Sequence, residues 1–214
     1  MKSYALAHHV DGFSYRQEVA RKLLHLSSLW IPVAIYYLDQ TQITVLLGFT
    51  LMVMLTFEVL RMQQHLVARL LHRLFNPIIR AAEKAPGIQL TGATYMIAAA
   101  LLICLLFPKP IAITSLSIML ISDSAAALIG KIFGRTRIMD KSLEGSAAFL
   151  LTALVTVIAI SFLAGFHHRF MVAGLFASIT ATAVELFSSA FQLDDNLTIP
   201  LTAALTMLLI IDSF

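Results

Sequence analysis

Three carboxylic acids, Glu58, Asp123 and Glu185, lie within or at the ends of apolar stretches. Ionisable side chains are expensive to place in apolar helices, so each acid is a candidate functional residue. Carboxylates that converge on one site repel one another unless a cation joins them, and oxygen ligands of this kind favour Mg²⁺. Interhelical hydrogen bonding is the simpler explanation of any one acid, but a poorer one for all three. The acids therefore predict a cation site, to which nearby acids could contribute, namely Glu144, Asp194 and Asp195.

The stretch from Asp123 to Gly145 adds groups that suit an anion. Its small residues recur on the helix face of Asp123, where they would let a phosphate chain approach the backbone: Ala127, Gly130 and Gly134. Four cations follow, namely Lys131, Arg135, Arg137 and Lys141. A helix that starts in Lys141-Ser142-Leu143-Glu144-Gly145 would direct its N–H groups to the same side. Neither a Walker A loop nor a Rossmann fingerprint is present, and a triphosphate with a metal would satisfy both halves.

The rest of the chain is apolar enough to make a lipid bilayer its solvent. Of 214 residues, 59% are hydrophobic and 13% are charged, far from the average of soluble domains. The predicted fold is all-α, a polytopic integral membrane protein with about seven transmembrane helices. The apolar runs are about Leu23–Leu38, Ile43–Leu60, Ala93–Phe107, Ile111–Ile129, Ser146–Phe166, Phe170–Ala190 and Leu197–Ile211. Three of these runs are short, so six or eight spans are alternatives.

The basic residues predict the orientation. With a cytoplasmic N-terminus, thirteen of the 15 lysines and arginines fall inside, and only Lys109 and Arg169 fall outside. The expected location is a bacterial inner membrane with the site facing the cytoplasm. Nucleic acid is excluded as a partner because there is no soluble basic domain to bind it, and the single cysteine, Cys104, lies mid-span as a buried inert thiol.

The predicted organisation is one domain over residues 1–214. It has a short N-terminal tail at 1–17, an interfacial amphipathic helix at about 61–82, and the anion-binding stretch at 123–145. Helical spacing places Arg21, Lys22 and His25 on one face near the start of the first span. A membrane anchor is usually enough to explain two such cations, whereas His25, one turn deeper, is harder to explain in this way. A structural salt bridge is likewise an alternative for the pair formed by Glu58 and Arg61.

These residues together resemble a known family. The pattern Asp123-x2-Ala126-x3-Gly130-x3-Gly134, followed by Lys141-Ser142-x-Glu144-Gly145, is similar to the cytidine-nucleotide motif of CTP-dependent lipid-alcohol kinases, which include dolichol kinase, phytol kinase and yeast-type diacylglycerol kinase. The resemblance extends over about residues 18–201. Its further blocks are Arg21-Lys22-x2-His25, Glu58-x2-Arg61, Thr91-Gly92-Ala93-Thr94-Tyr95 and Glu185 with Asp195-Asn196-Leu-Thr-Ile-Pro200.

The phosphatidate cytidylyltransferases share only part of this pattern. They also carry a Ser-x-x-Lys-Arg-x4-Lys-Asp signature near the C-terminus, where this chain has Asp194-Asp195-Asn196 and no basic pair. This difference favours the kinases. A CDP-lipid synthase stays the alternative, and a small proton- or cation-coupled transporter is a third class, although acids gathered at one face argue against it.

The resemblance implies transfer of the γ-phosphoryl group of CTP to the hydroxyl of a membrane lipid such as a polyprenol, a phytol-like alcohol or diacylglycerol, with Mg²⁺ as cofactor. The expected partners are the nucleotide and the lipid, and the oligomeric state stays open. The implied catalytic residues are Asp123, Glu185, Asp195 and Lys141, of which the three acids would hold the metal. The implied nucleotide-binding residues are Gly130, Lys131, Gly134, Arg135, Ser142, Glu144, Gly145 and Asn196. A second group of candidates comprises Arg21, Lys22, His25, Glu58, Arg61, Thr91, Gly92 and Thr94.

Overall fold

The computed structural model describes residues 15–62, 90–166, 168–191 and 194–212. These residues form eight helices: α1 (Tyr15–Ser27), α2 (Trp30–Tyr37), α3 (Gln40–Met62), α4 (Gly92–Leu106), α5 (Lys109–Phe133), α6 (Leu143–Ala164), α7 (His168–Phe191) and α8 (Asp195–Asp212). A hairpin of two-residue antiparallel strands, β1 (Arg137–Ile138) and β2 (Lys141–Ser142), connects α5 to α6. The prediction of an all-α fold is confirmed for these residues.

Within the described ranges, five helices are long and apolar enough to cross a membrane, namely α3, α5, α6, α7 and α8. Helix α4 is apolar but shorter. Six of the seven predicted runs each fall within one helix or end within a residue or two of it. The fold is therefore that of a multi-pass membrane protein, while the count of seven spans and the cytoplasmic N-terminus stay predictions.

The first predicted run, Leu23–Leu38, is divided between two helices. The chain turns at Ser28 and Leu29, whose amide groups donate to carbonyls three residues earlier, at 3.1 and 3.0 Å. Pro32 has no N–H with which to continue the helical hydrogen bonds across this point, so α2 begins anew. As a result α1 ends as a short helix of mixed polarity, and the second half of the run forms the eight-residue apolar helix α2.

Helix α5 is the central element of the bundle. It contacts α1, α2, α4, α6, α7 and α8. In its most apolar stretch of 18 residues, 72% is buried inside the protein. Its buried face carries apolar side chains such as Ile118 and Leu120 together with several serines and Asp123. A carboxylate on this helix is therefore surrounded by other helices rather than by lipid.

Two hydrogen bonds connect the helix ends on the other side of the bundle from the hairpin. Lys109 Nζ donates to the carbonyl of Leu38, and Gln40 Nε2 donates to the carbonyl of Cys104. Each bond satisfies a carbonyl at the C-terminal end of a helix, where no further backbone N–H follows. The predicted burial of the Cys104 thiol is confirmed.

Two predicted features lie outside the described residues. The N-terminal tail at 1–17 overlaps the described chain only from Tyr15, where α1 begins. Of the predicted amphipathic helix at about 61–82, only Arg61 and Met62 are described, as the last residues of α3.

The contact between α6 and α7 depends on a glycine. A Cβ atom at Gly174 of α7 would overlap the Cγ1 atom of Val157 on α6 and come within 3.0 Å of its Cγ2 atom. We expect Gly174→Ala to lower the free energy of unfolding by about 1–3 kcal/mol, because the packed helices must separate. The measurement is the thermal midpoint of the detergent-solubilised protein, followed by size-exclusion chromatography.

Gly48→Ala is the matched control for this change. A Cβ at Gly48 of α3 meets nothing within 4 Å, so that variant should be as stable as the wild type or gain up to about 1 kcal/mol from helix propensity. Equal midpoints for the two variants would contradict the packing role of Gly174.

Candidate active site

A buried ion pair joins α1 to the central helix. Lys22 Nζ donates to Asp123 Oδ2, although 101 residues separate the two in sequence. Lys22 is only 1% exposed and Asp123 is also buried. Removing either partner would leave an uncompensated charge in the interior, which is strongly destabilising. The structure thus places two sequence-predicted residues from separate blocks in direct contact.

His25 lies one helical turn beyond Lys22 and faces the same carboxylate. Its Nε2 atom is 3.6 Å from Asp123 Oδ2, which is too far for a hydrogen bond. Arg21 instead pairs with Glu18 on α1, with an N–O distance of 2.5 Å. Burial alone would raise the pKa of the Glu18 carboxyl, but the hydrogen bond and charge of Arg21 lower it below its usual value.

Lys141 forms the centre of a second ionic group. Its Nζ atom is 2.8 Å from Asp195 Oδ2 at the start of α8 and 3.0 Å from Glu185 Oε1 on α7. The other oxygen of Glu185 accepts a hydrogen bond of 2.8 Å from Ser146 Oγ. Burial would lower the pKa of Lys141, but the carboxylates of Asp195 and Glu185 outweigh it and raise the pKa above its usual value.

The two ionic groups are coupled electrostatically and form one network of charges. Asp123 also contributes to the raised pKa of Lys141, so its charge acts on both lysines. Helix packing explains this proximity, because a Cβ built at Gly145 on α6 would lie 2.9 Å from the Ala126 carbonyl oxygen, one turn from Asp123. We call the residues of this network the ionic cluster: Lys22, His25, Asp123, Lys141, Ser146, Glu185 and Asp195.

The predicted glycine track has a packing role. A Cβ at Gly130 would lie 2.8 Å from Ser142 Oγ and 3.4 Å from the Gly145 Cα atom, and one at Gly134 would lie 2.8 Å from Ser142 Oγ. These distances are shorter than ordinary contacts. The glycine face of α5 is therefore already packed against the start of α6. A role for Gly130, Gly134 and Gly145 in nucleotide binding stays a prediction.

The connection from α5 to α6 is tied to the start of α6 by hydrogen bonds. Ser142 is the N-cap of α6 and accepts from the Gly145 amide at 3.1 Å, while the Glu144 carboxylate accepts from the Thr136 amide at 3.1 Å. The hairpin turn contains Met139 at φ +53°, a left-handed conformation that few residues other than glycine adopt. These contacts fix the backbone on which Lys141 is carried.

The remaining cations near the hairpin are exposed, namely Lys131, Arg135 and Arg137. They lie at the end of α5 and on the connection to Lys141. Asn196, in the first turn of α8, is buried and donates through Nδ2 to Asp194 Oδ1 at 2.8 Å. The predicted nucleotide-binding cations are thus positioned toward solvent next to the ionic cluster.

Glu58 belongs to a separate polar cluster with the start of α4. Its Oε1 atom accepts hydrogen bonds from the Thr91 amide at 2.8 Å and from Thr94 Oγ1 at 3.0 Å. Gly92 is the first residue of α4, so the carboxylate lies at a helix N-terminus, where negative charge is favourable. The structure therefore gives Glu58 a capping role through the Thr91 amide, with Thr94 Oγ1 as a second donor to its carboxylate. The side chain of Arg61 is outside the described part.

Sequence reasoning missed Ser146. Serine and threonine in membrane helices usually bond their own backbone, as Thr152 does here with the Ala148 carbonyl. Ser146 is near the start of α6, and its hydroxyl donates to Glu185 on α7 instead. Its position in the first turn, directly after Gly145, was the one available signal.

The donor set of the ionic cluster fits Mg²⁺ in part. Glu185 and Asp195 converge on a cation, the Lys141 ammonium, and one or two carboxylates are the usual protein share of a Mg²⁺ site that also uses water and phosphate oxygens. No group of three or more His, Cys, Asp or Glu side chains suited to a metal occurs among the described residues. The predicted role of Asp123 as a third ligand stays a prediction, since Asp123 contacts Lys22.

Comparison with known proteins identifies two relatives. An uncharacterized protein of Rickettsia prowazekii is 33% identical over 189 residues, which cover 88% of this chain and 92% of that protein. A probable chloroplastic phytol kinase of Triticum aestivum is 31% identical over 133 residues, which cover 56% of this chain but only 44% of the kinase. No family model matches the chain. No solved structure matches it either.

The pairing of one lysine with two carboxylates generates a prediction about stability. Lys141→Met should lower the free energy of unfolding by about 3 kcal/mol, since Glu185 and Asp195 would be left close together without a cation. Lys141 is 23% exposed, which places the expected loss at the lower end of the range for buried pairs.

A double variant tests the charge explanation of this loss. Adding Glu185→Gln to Lys141→Met removes one of the two repelling charges and should restore part of the stability. Thermal midpoints of the two single variants and the double variant provide the measurement. Additive losses would show that lost packing, rather than unbalanced charge, explains the effect of Lys141→Met.

Proposed function

We propose that this chain, which belongs to the same family as the uncharacterized Rickettsia prowazekii protein, is a membrane-embedded lipid kinase. The partial similarity to a phytol kinase supports a kinase of lipid alcohols. The matched part covers less than half of that kinase, so its substrate is not transferred to this chain. The finer proposal is that the donor is CTP and that the acceptor is the hydroxyl of a polyprenol, a phytol-like alcohol or diacylglycerol.

In the proposed reaction the lipid hydroxyl oxygen attacks the γ-phosphorus of CTP. The bond between that phosphorus and the oxygen bridging to the β-phosphate breaks, and the products are CDP and a lipid phosphate. The hydroxyl proton passes to a carboxylate of the ionic cluster and from there to solvent. Transfers of this kind depend on positioning and on charge stabilisation more than on a protein nucleophile.

The ionic cluster is the observation that carries the proposal. Two lysines, three carboxylates, a histidine and a serine meet between helices whose other buried residues are mostly apolar. One ion pair would be enough to join two helices. A set of this size, drawn from α1, α5, α6, α7, α8 and the hairpin, costs desolvation free energy at every member, and a reaction that handles phosphate charge accounts for it.

The chain's own groups divide between the metal and the nucleotide. Glu185 and Asp195 are the residues that would hold Mg²⁺, and when bound that ion would neutralise charge on the β- and γ-phosphates. Lys141 lies within 3.0 Å of both carboxylates and can reach a phosphate bound beside them. The exposed side chains of Arg135 and Arg137 would contact the phosphates of the nucleotide from the solvent side. In the proposed orientation this end of the bundle faces the cytoplasm of a bacterial inner membrane.

The decisive experiment follows the label of the nucleotide. The purified protein in lipid nanodiscs is incubated with γ-labelled or α-labelled CTP, or with γ-labelled ATP, and with polyprenol, phytol or diacylglycerol. Transfer of the γ-label from CTP to a lipid alcohol is the expected result. Transfer of the α-label to added phosphatidic acid would instead identify a CDP-lipid synthase, and transfer of neither label would reject both enzymes.

Asp123→Asn should reduce γ-label transfer at least about 100-fold, because the amide removes the negative charge that faces Lys22 and His25. Asp140→Asn is the matched control, since Asp140 is an exposed carboxylate in the hairpin turn, and it should retain wild-type activity. Both variants are compared for membrane insertion and thermal midpoint. An active Asp123→Asn protein would rule out the site as assigned.

Removal of divalent metal should abolish transfer. Treatment with a chelator is expected to stop γ-label incorporation, and excess Mg²⁺ should restore it, since Glu185 and Asp195 supply only part of the ligand set and the phosphates supply the rest. Asp195→Asn should raise the Mg²⁺ concentration needed for half-maximal activity. Full activity in the presence of chelator would contradict the metal assignment.

A further inference from the structure

One nitrogen atom in the ionic cluster lacks a hydrogen-bond partner. The side chain of His25 is 11% exposed, and its Nε2 atom is enclosed with no partner among the described residues. Asp123 Oδ2 faces it at 3.6 Å, which is beyond hydrogen-bond range. Buried polar atoms are nearly always paired, so this nitrogen marks a place where a ligand group is expected.

The neighbours of this nitrogen restrict the chemistry of the ligand. A single oxygen atom can hydrogen-bond to both His25 Nε2 and Asp123 Oδ2 at about 2.8 Å, because these two atoms are only 3.6 Å apart. The carboxylate accepts hydrogen bonds and donates none, so it would repel a phosphate, ester or carbonyl oxygen. A hydroxyl can donate to the carboxylate and accept from the imidazole, or donate to the imidazole. Lys22, which is already bonded to Asp123, supplies a cation beside it.

The opposite face of α1 is exposed and apolar. Leu23 and Leu24, the two residues between Lys22 and His25, are 62% and 50% exposed although they are apolar. Helix α1 then ends at Ser27, and Trp30 at the start of α2 is 42% exposed. Apolar side chains close to His25 in sequence are thus exposed, and a hydrocarbon chain can lie against them.

We propose that the acceptor hydroxyl of the membrane lipid binds between His25 Nε2 and Asp123 Oδ2. This inference rests on the proposed lipid kinase function and assigns the end of the site at which the acceptor enters. In this role His25 recognises the alcohol group, and the nucleotide binds from the hairpin side, beside Lys141.

Trp30 provides a direct measurement of binding. It is the only tryptophan of the chain and lies five residues after His25. In nanodiscs without nucleotide, phytol brominated across its double bond quenches Trp30 when it binds, and unlabelled phytol or phytyl methyl ether then competes for the site. The ether has the same hydrocarbon chain but cannot donate a hydrogen bond. We expect phytol to compete about 10-fold better than the ether.

Variants of His25 test which residue recognises the hydroxyl. His25→Phe should make phytol and its ether compete equally, whereas His25→Gln keeps a hydrogen-bonding group and should retain part of the preference. His168→Phe at the far end of α7 from Glu185 is the control and should behave as the wild type. In the kinase assay, His25→Phe should raise KM for the lipid and leave KM for the nucleotide unchanged.

Two results would overturn the inference. Equal competition by phytol and its ether in the wild-type protein would mean that only water pairs with His25 Nε2, and this comparison needs no variant to fold. An undiminished preference for phytol in folded His25→Phe would assign recognition to other residues. The two proposals can fail separately. If the protein binds phytol better than the ether but transfers no label, the hydroxyl site is supported and the proposed kinase reaction is rejected.

Discussion

The buried pair of Lys22 and Asp123 is the interaction on which the arrangement of the site depends. Neither charge is stable alone inside an apolar bundle, because losing its hydration costs several kcal/mol that only a close opposite charge offsets. Asp123 is fixed on the central helix, so Lys22 must follow it into the interior and bring α1 against α5. The burial of Lys22 also turns Leu23 and Leu24 outward, which is why a helix with a fully buried lysine presents leucines at its surface.

The close approach of α5 and α6 sets the position of the second lysine. Gly130 and Gly145 allow the two helices to approach until a Cβ on either would be within 3.4 Å of the other's Cα atom. This contact brings the first turn of α6, and with it Ser142 and Ser146, beside the face of α5 that carries Asp123. Lys141 is carried by the strand just before this turn, and it can therefore contact α7 and α8 through Glu185 and Asp195.

Hydropathy was sufficient to predict the long helices, since a run of about 20 apolar residues has few other solutions in a bilayer. It failed at Ser28 and Leu29, where the run divides into two helices. Pro32 cannot donate the next helical hydrogen bond, yet the residues on both sides of the break remain apolar enough to look like one run. The hairpin was also missed, because strands of two residues leave no detectable pattern. The residue types of the site were predictable, but their pairing was not. Spacing along the chain cannot tell whether Lys141 faces a phosphate or, as in the structure, two carboxylates.

The charges of the ionic cluster explain why a site there would need both a metal ion and a phosphate-bearing ligand. Two lysines face three carboxylates, so with His25 neutral the cluster carries one net negative charge. A free polyphosphate would be repelled by such a cluster, and a metal ion alone would compete with Lys141 for Glu185 and Asp195. A nucleotide bound together with a metal ion would resolve both conflicts, because Glu185 and Asp195 would hold the metal and Lys141 would then be available to the phosphates. Under the proposed function, the exposed arginines of the hairpin gather the anion and the buried acids accept it only as a metal complex.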